Sequence, residues 1–492
     1  MKKNNWCKVF YNPIYIGAFI ALILLALILN PIISYDEALW GYIGNIWSNY
    51  GLPPYIASVE NKTPGNFILY AISEYFTHGN FIIARIFGAL AVLISAFYIY
   101  KITKLLHSNS AAILAMYIFG LSSCWYLVDA YVLAQTETFM VLFSILSFYF
   151  LIQAKTKLQK RNYFILAGMF LGFAISFKQI AITTYAAFFI YYWFNSKKAI
   201  NKQLIINWLL FTFGVFIGLF IIYFVLYLNG VSVLNYIDGA WSILLKPGSS
   251  APDFATRISK FSQMFFQSRF LVFYPILILC FIKSNMLKKQ YVIGVFIWLA
   301  IDFIGVNASG YYYGHQLKQL LAPIAICCGI GLSSFQENKE NKPCFSSRLF
   351  SILILILFLF FPYKQVTQSI RLIRAQTSEP AKELGEWLQN NAKATDYIFV
   401  LGADEFLVKS LYYANRVSSS KYFHSIFVTN KTDTKIIYND LLDKPAKFIL
   451  IEAGDLQKVD TYGEEIINYV RENYSVYKTH LNFNILRHNK ID

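Results

Sequence analysis

The first 362 residues alternate long apolar runs with short polar connections. A membrane-spanning helix needs about 20 apolar residues, and fewer where loops or neighbouring helices shelter it. The first run lacks an A-x-A-like cleavage site and is long for a signal sequence, so it is kept as a helix. The pattern predicts eleven spanning helices, at 14–34, 81–100, 111–128, 138–153, 163–177, 179–194, 204–228, 269–283, 290–306, 317–335 and 348–362.

The pattern changes near residue 378, where shorter segments with a helical or a strand period take over. Helices are predicted at 379–391, 404–414, 434–443 and 463–473, and strands at 396–401, 447–452 and 482–487. The fold class expected is therefore a mostly helical transmembrane bundle, residues 1–362, followed by a small α/β domain, residues 363–492.

Two connections in the membrane domain are long, 35–80 and 229–268. The first contains Pro-Gly turns and a predicted amphipathic helix at 66–77, lying along the membrane surface. The second contains a turn-rich stretch at 246–252, of the flexible kind that forms lids.

Composition strengthens the membrane interpretation. Hydrophobic residues make up 57% of the chain and charged residues 14%, against the roughly 25% charged residues of soluble domains. This excludes a disordered chain and a disulfide-stapled scaffold, and it argues against a soluble enzyme. The six cysteines show no C-x-x-C spacing, so neither a zinc site nor a disulfide framework is expected.

The net charge of +16 lies almost entirely in the first 362 residues, as clusters of Lys and Arg in alternate connections. Basic clusters are retained on the cytoplasmic side of a membrane. The pattern therefore predicts a cytoplasmic N-terminus and an external C-terminal domain, and it argues against nucleic acid as a partner.

Ionisable groups at membrane depth are costly and are candidates for function. Asp36 and Glu37 follow the first span directly on the predicted outer side. A partly desolvated acid there suits a general base or a cation clamp, and the alternative is a solvated helix cap. Lys62, in the same loop, suits a phosphate group as a point charge, and the alternative is a turn with a solvated lysine.

Asp129 and Glu137 lie at the outer ends of the third and fourth spans, and Lys178 on the same side can pair with either acid. The structural alternative makes Thr136 a helix cap and Glu137 a favoured first-turn acid. Further along, Tyr313 and His315 precede the tenth span, and Lys318 lies at its start. They suit a phosphate site with a hydroxyl donor, and the alternative is an interfacial aromatic belt.

These motifs, in this order, resemble the GT-C glycosyltransferases, in the branch that contains protein O-mannosyltransferases and the lipid A aminoarabinose transferase. The matching residues are Asp36-Glu37, Lys62-Thr63-Pro64, Glu137, and Tyr313-Gly314-His315 followed by Gln319-Leu320-Leu321-Ala322-Pro323. The sequence departs from the family pattern at Thr63, Gln316 and Ala322. The resemblance covers most of residues 10–362.

The resemblance implies an inverting sugar transfer from a polyprenyl-phosphate donor to a lipid, glycan or protein acceptor. In this scheme Asp36 is the base, and Lys62 with His315 or Tyr313 offsets the charge of the leaving phosphate. Glu37 and Glu137 orient hydroxyl groups, and Lys178 belongs to the same substrate site. No metal or other cofactor is expected, and the location implied is the bacterial cytoplasmic (inner) membrane.

Two other functions fit a polytopic membrane protein. A transporter or flippase favours charges along a midplane path and inverted repeats, whereas no repeat is visible and the acids lie at one end of the spans. The other is a non-catalytic partner in cell-envelope glycan assembly. Substitution of Asp36 distinguishes these functions from an enzyme.

Overall fold

The computed structural model describes residues 12–124, 132–156, 161–194, 202–245, 252–266, 273–282, 290–336, 345–453 and 459–491. The described residues are mostly helical and form one small sheet, and the chain divides into two compact units. The first unit comprises residues 1–30, 85–222 and 251–375, and the second comprises residues 31–84, 223–250 and 376–492.

The first unit is a helical bundle, and each of its described helices except Phe254–Phe266 overlaps a predicted apolar run. Its helices lie in it wholly or for the most part: Pro13–Ile28, Ile82–Leu106, Asn109–Ser122, Thr136–Thr156, Arg161–Phe177, Ile182–Phe194, Lys202–Leu228, Phe254–Phe266, Phe273–Ile282, Gln290–Ala308, Lys318–Gln336 and Phe345–Arg374. The last helix was predicted to end at residue 362, but it continues through Pro362. Proline removes one backbone hydrogen bond, and long apolar helices tolerate that loss.

Four helical segments of the described chain are long and apolar enough to cross a membrane. They are Ile82–Leu106, Thr136–Ala154, Lys202–Leu228 and Gly314–Ser333. Shorter apolar helices run over Pro13–Ile28, Asn109–Ser122, Arg161–Phe177 and Val292–Ala308. Helices therefore stand where spans were predicted, while the number that cross the membrane stays a prediction.

Two helices of this unit pack backbone to backbone through paired glycines. Gly168 and Gly172 are four residues apart on one helix, and Gly214 and Gly218 repeat the spacing on the other. A Cβ atom added at Gly172 would overlap the carbonyl oxygen of Val215. Small residues at this spacing let membrane helices approach closely.

The first helix of the second unit is Tyr35–Tyr50, which lies in a connection that the sequence predicts as a loop. Ser34 accepts a hydrogen bond from the backbone N–H of Glu37, and the Glu37 carboxylate accepts one from the backbone N–H of Ser34. This reciprocal capping box starts the helix, and Gly51 in a left-handed conformation (φ 67°) ends it. The predicted amphipathic helix is present as Pro64–Thr77.

The C-terminal part of this unit contains a four-stranded sheet. Its strands are Tyr397–Leu401 (β1), Ala446–Glu452 (β2), Tyr474–His480 (β3) and Phe483–His488 (β4), in the order β1-β2-β4-β3. β1 and β2 are parallel, and the other pairs are antiparallel. The strand β3 was not predicted, because it is an edge strand whose residues are mostly exposed and carry no alternating pattern.

Helices flank this sheet and precede it in the second unit. They are Val233–Ala240, Pro380–Asn391, Glu405–Ala414, Lys431–Asp443 and Val459–Asn473, the last with a kink at Gly463. Short 3₁₀ segments occur in the two units at Gln179–Ala181, Ser242–Leu245, Gly314–Leu317 and Ser425–Phe427. The connection 229–268 is thus largely helical where it is described, and most of its turn-rich stretch, 246–251, lies outside the described residues.

Candidate functional site

Asp36 and Glu37 occupy the first turn of helix Tyr35–Tyr50, where the helix dipole favours negative charge. Glu37 is fully buried and its carboxylate is used in the capping box with Ser34. Asp36, one residue earlier, is half-buried. The two adjacent acids therefore differ in environment: Glu37 stabilises the helix start, and Asp36 keeps partial access to solvent.

The hydroxyl group of Tyr35 lies among acids of the same unit. It is buried and makes no hydrogen bond within the described residues. Burial, and then the charges of Glu60, Asp36, Glu405 and Asp404, raise the pKa of Tyr35 well above its usual value. Because Asp404 and Glu405 follow strand β1, the C-terminal part of the unit contributes to this acidic environment.

Lys62 lies at the start of helix Pro64–Thr77. Its ammonium donates to the Asn61 side-chain oxygen (2.9 Å) and forms an ion pair with Glu60 (3.4 Å). The Glu60 side chain is nearly buried, whereas that of Lys62 is 26% exposed. Lys62 is thus held by neighbours in sequence and stays reachable for an anionic ligand.

His424 is a buried side chain of this unit that sequence reasoning missed, because no motif surrounds it. Its Nδ1 accepts a hydrogen bond from the backbone N–H of Ile426 (3.3 Å). Its Nε2 is buried and has no partner within the described residues. Burial, and then the charge of Lys62, lower the pKa of His424 to about 3.

Glu74 is a fully buried acid of this unit to which sequence reasoning gave no role. Its carboxylate accepts hydrogen bonds from the Tyr412 hydroxyl (2.8 Å), the backbone N–H of Gly79 (2.7 Å) and the Asn45 amide (3.3 Å). Burial raises the pKa of Glu74 to about 7, although these hydrogen bonds lower it. The Glu74 carboxylate therefore connects three helices and has a structural role, and it titrates near neutral pH.

Glu137 is the centre of a charged cluster in the first unit. It is buried and forms an ion pair with Lys178, and its second oxygen accepts from the Thr136 hydroxyl (2.7 Å). His315 Nε2 lies 3.7 Å from the same carboxylate. Lys178 therefore pairs with Glu137; the other acid considered for it, Asp129, lies outside the described residues.

Tyr313 is stacked in a row of rings beside this cluster. Its ring centre lies 5.7 Å from that of His315 and 5.5 Å from that of Tyr311, with nearly parallel planes. The Lys260 ammonium lies 5.5 Å from the centre of the Tyr311 ring. Tyr313 is 53% exposed, so part of its side chain is accessible although its ring is stacked.

Lys318 and Asp302 are buried in the first unit and form hydrogen bonds there. The Lys318 ammonium donates to the Val132 carbonyl oxygen (2.9 Å) and the Thr138 hydroxyl (3.2 Å), which does not support the phosphate contact considered for it. Asp302 accepts from the hydroxyls of Thr183 and Thr184 and from the Trp298 indole. These neutral donors hold the buried Asp302 carboxylate within the unit.

The predicted site residues thus form two groups. Asp36, Glu37 and Lys62 belong to the second unit, and Glu137, Lys178, Tyr313 and His315 belong to the first. No set of three His, Cys, Asp or Glu side chains in the described parts of the chain is arranged to hold a metal ion. The expectation of a metal-free reaction stays a prediction.

Residues 61–227 match a family model described as dolichyl-phosphate-mannose-protein mannosyltransferase. The match includes Lys62, Glu137 and Lys178, while Asp36 and His315 lie outside it. No curated protein matches the chain by sequence.

Solved structures of glycosyltransferases share the fold. The structure of ArnT from Cupriavidus metallidurans bound to undecaprenyl phosphate is similar over 98% of both chains, with a TM-score of 0.65 and 12% identity. The apo oligosaccharyltransferase of Archaeoglobus fulgidus matches 96% of this chain and 73% of its own, with a TM-score of 0.62 and 11% identity. AglB from the same organism, in complex with an inhibitory peptide and a dolichol-phosphate, gives 0.53 and 12% identity over 98% of this chain and 75% of its own.

The predicted resemblance to GT-C glycosyltransferases is confirmed, since the family model and the fold agree on it. The prediction of a membrane glycosyltransferase is confirmed at the level of this class. The donor, the acceptor, the residue roles and the orientation in the membrane are not decided by these similarities.

Proposed function

We propose that this chain transfers a sugar from a polyprenyl-phosphate donor to a lipid, glycan or protein acceptor. The observation that carries the proposal is the arrangement of Asp36 and Lys62 in one compact unit, each partly accessible. An acid for the acceptor and a cation for the phosphate are what such a transfer needs. The undecaprenyl phosphate in the ArnT structure and the dolichol-phosphate with AglB support the choice of donor class.

In the proposed reaction Asp36 takes a proton from the acceptor hydroxyl or amine as that group attacks the anomeric carbon. The new bond forms on the face opposite the leaving group, so the configuration inverts. The bond from carbon to phosphate oxygen breaks, and polyprenyl phosphate leaves with the electron pair. Lys62 stabilises the charge that develops on this oxygen.

The remaining predicted residues have supporting roles in this proposal. Glu37 holds the helix start that positions Asp36, in addition to the predicted orientation of hydroxyl groups. Glu137, with Lys178 and His315, forms a fixed charged cluster suited to hold hydroxyl groups. Tyr313 is partly exposed, and its role at the phosphate stays a prediction.

We further propose eleven spans in the bacterial cytoplasmic (inner) membrane, with the N-terminus inside and the residues from 363 onward outside. The apolar helices and the basic clusters in alternate connections support this arrangement. A lipid-linked donor then reaches the protein from the bilayer, and transfer takes place on the extracytoplasmic face.

Asp36→Asn tests the proposal, because it removes the base and keeps the size of the side chain. We expect turnover to fall by roughly 10² to 10⁴-fold, the usual contribution of a positioned base. Binding of undecaprenyl phosphate should stay within about twofold of the wild type, since Asp36 does not hold the phosphate. Mass spectrometry of envelope glycans from a deletion strain complemented with each variant measures the product, and titration of purified protein measures binding.

Lys62→Ala is the matched second arm of this experiment. It should weaken undecaprenyl phosphate binding by roughly tenfold or more, because a charge-assisted contact is lost. Full product from Asp36→Asn would contradict catalysis by this acid and would favour an assembly partner. Transport of an unmodified lipid-linked sugar by the wild type, with no new glycosidic bond, would favour a flippase.

A further inference from the structure

A chain segment far from Lys62 in sequence lies beside it in the fold. The backbone N–H of Val59 donates to the carbonyl oxygen of Lys421 (3.0 Å), which joins the segment before Lys62 to the segment before His424. The Tyr42 ring packs on Phe423 with ring centres 4.6 Å apart, and its hydroxyl accepts from the backbone N–H of Ser418 (2.8 Å). These contacts lie within the second unit and fix residues 418–424 against its N-terminal helix.

The hydrogen bonding of His424 determines which ring nitrogen carries the proton. A backbone N–H donates to Nδ1, so Nδ1 has a lone pair and no hydrogen. A neutral ring then carries its hydrogen on Nε2. Burial and the nearby ammonium of Lys62 keep the ring neutral, because they lower its pKa to about 3. His424 is therefore a fixed, uncharged N–H donor across physiological pH.

This donor has no acceptor within the described part of the chain, although the side chain is only 2% exposed. The rings of Phe423 and Phe427 hold the imidazole, with centres 4.6 and 5.5 Å away. A buried polar group without a partner is destabilising, and native proteins rarely retain one without a reason. Thr63, the residue after Lys62, likewise has a buried hydroxyl without a partner among the described residues.

We propose that His424 is a further substrate-binding residue, whose Nε2–H donates to an oxygen of the phosphate group that Lys62 binds. The inference rests on the proposed function, from which it takes the phosphate at Lys62. An anionic oxygen satisfies both neighbours at once: the ammonium supplies charge, and the imidazole supplies a directed hydrogen bond. The C-terminal segment would thus contribute directly to donor binding.

The test compares binding of undecaprenyl phosphate and of undecaprenol, which lacks the phosphate, to the purified full chain. His424→Phe keeps a flat ring and removes the donor, so we expect roughly ten- to a hundredfold weaker binding of undecaprenyl phosphate. Binding of undecaprenol should not change. His424→Gln restores an N–H donor and should recover part of the loss, and His480→Phe is the control outside the site.

The possible outcomes distinguish a failure of the His424 inference from a failure of the proposed function. If His424→Phe binds undecaprenyl phosphate like the wild type while Lys62→Ala does not, His424 has no binding role and the proposed function stands. If the wild type itself prefers undecaprenol or binds neither lipid, the phosphate site is wrong, and the inference fails with it. Equal losses for both lipids, or in the Phe and Gln variants alike, would assign His424 a purely structural role.

Discussion

At the scale of single residues, adjacent or similar acids have different tasks because their surroundings differ. Glu37 is buried and bonded to the backbone of Ser34, whereas Asp36 beside it is half-buried. Glu137 is paired with a lysine, and Glu74 has only neutral hydrogen-bond donors among its named partners. These acids cannot be distinguished from the sequence alone, because their surroundings in the fold determine which of them have a structural role.

Glu74 gives a prediction about pH. Its pKa is raised to about 7 in the folded chain, so the folded state holds a proton that the unfolded state has lost between about pH 4.5 and 7. The contribution of Glu74 to the free energy of unfolding is therefore greatest below about pH 4.5. It decreases as the pH rises to about 7 and does not change further above that pH. The loss is on the order of 3 kcal/mol for such a shift.

Glu74→Gln should remove this dependence, because the amide stays neutral and keeps hydrogen-bonding groups of the same shape. We expect melting temperatures of the variant and the wild type to be similar near pH 5, and that of the variant to be higher near pH 8. Glu386, an exposed acid of the same unit, supplies the control as Glu386→Gln. An unchanged difference between the two pH values in Glu74→Gln would refute the assignment.

At the scale of elements, the ends of helices were less predictable than their presence. The apolar runs predicted the helices of the first unit except Phe254–Phe266, which lies in a predicted loop. The last predicted span ended at Pro362, whereas this residue lies inside Phe345–Arg374. Helix Tyr35–Tyr50 was not predicted, although Ser34-x-x-Glu37 has the sequence of a capping box. The capping box is the local signal that predicts this helix. The apolar content of the segment does not predict it, because it is too low for a membrane span.

The paired glycines give a prediction at this scale. Gly172→Val should overlap the backbone of helix Lys202–Leu228 and destabilise the bundle by about 1–3 kcal/mol, whereas Gly172→Ala should cost less. The melting temperature in detergent measures the effect, and Phe213→Leu on the exposed side of the facing helix is the control. Equal melting of the Val variant and the wild type would show that the two helices do not pack as closely as described.

At the scale of the whole molecule, residues distant in sequence share one compact unit. Residues 31–84 belong with 376–492, and Tyr50 bonds to the Asn415 carbonyl oxygen (2.8 Å) as one of the links. The C-terminal residues therefore contribute to the surroundings of Tyr35 and of Lys62. This is why the proposed donor site includes a residue from the C-terminal segment.

The orientation in the membrane gives the last prediction. Alkaline phosphatase, which is active only outside the cytoplasm, should be active when fused after Asp492 and inactive when fused after Lys198, in a predicted inner connection. Green fluorescent protein fused at the same two positions should give the reverse result. Phosphatase activity at Lys198 would overturn the assignment of the basic clusters to the cytoplasmic side.

The sequence by itself determined the membrane class, most helices of the bundle and the order of the motifs that resemble GT-C enzymes. These depend on apolar content, periodicity and spacing, which are local properties of the chain. Only the tertiary structure paired Lys178 with Glu137, enclosed Glu74 beneath Tyr412, and brought His424 near Lys62. Such pairings depend on contacts between distant segments, because burial and neighbouring charges act through space and leave no mark in the local pattern.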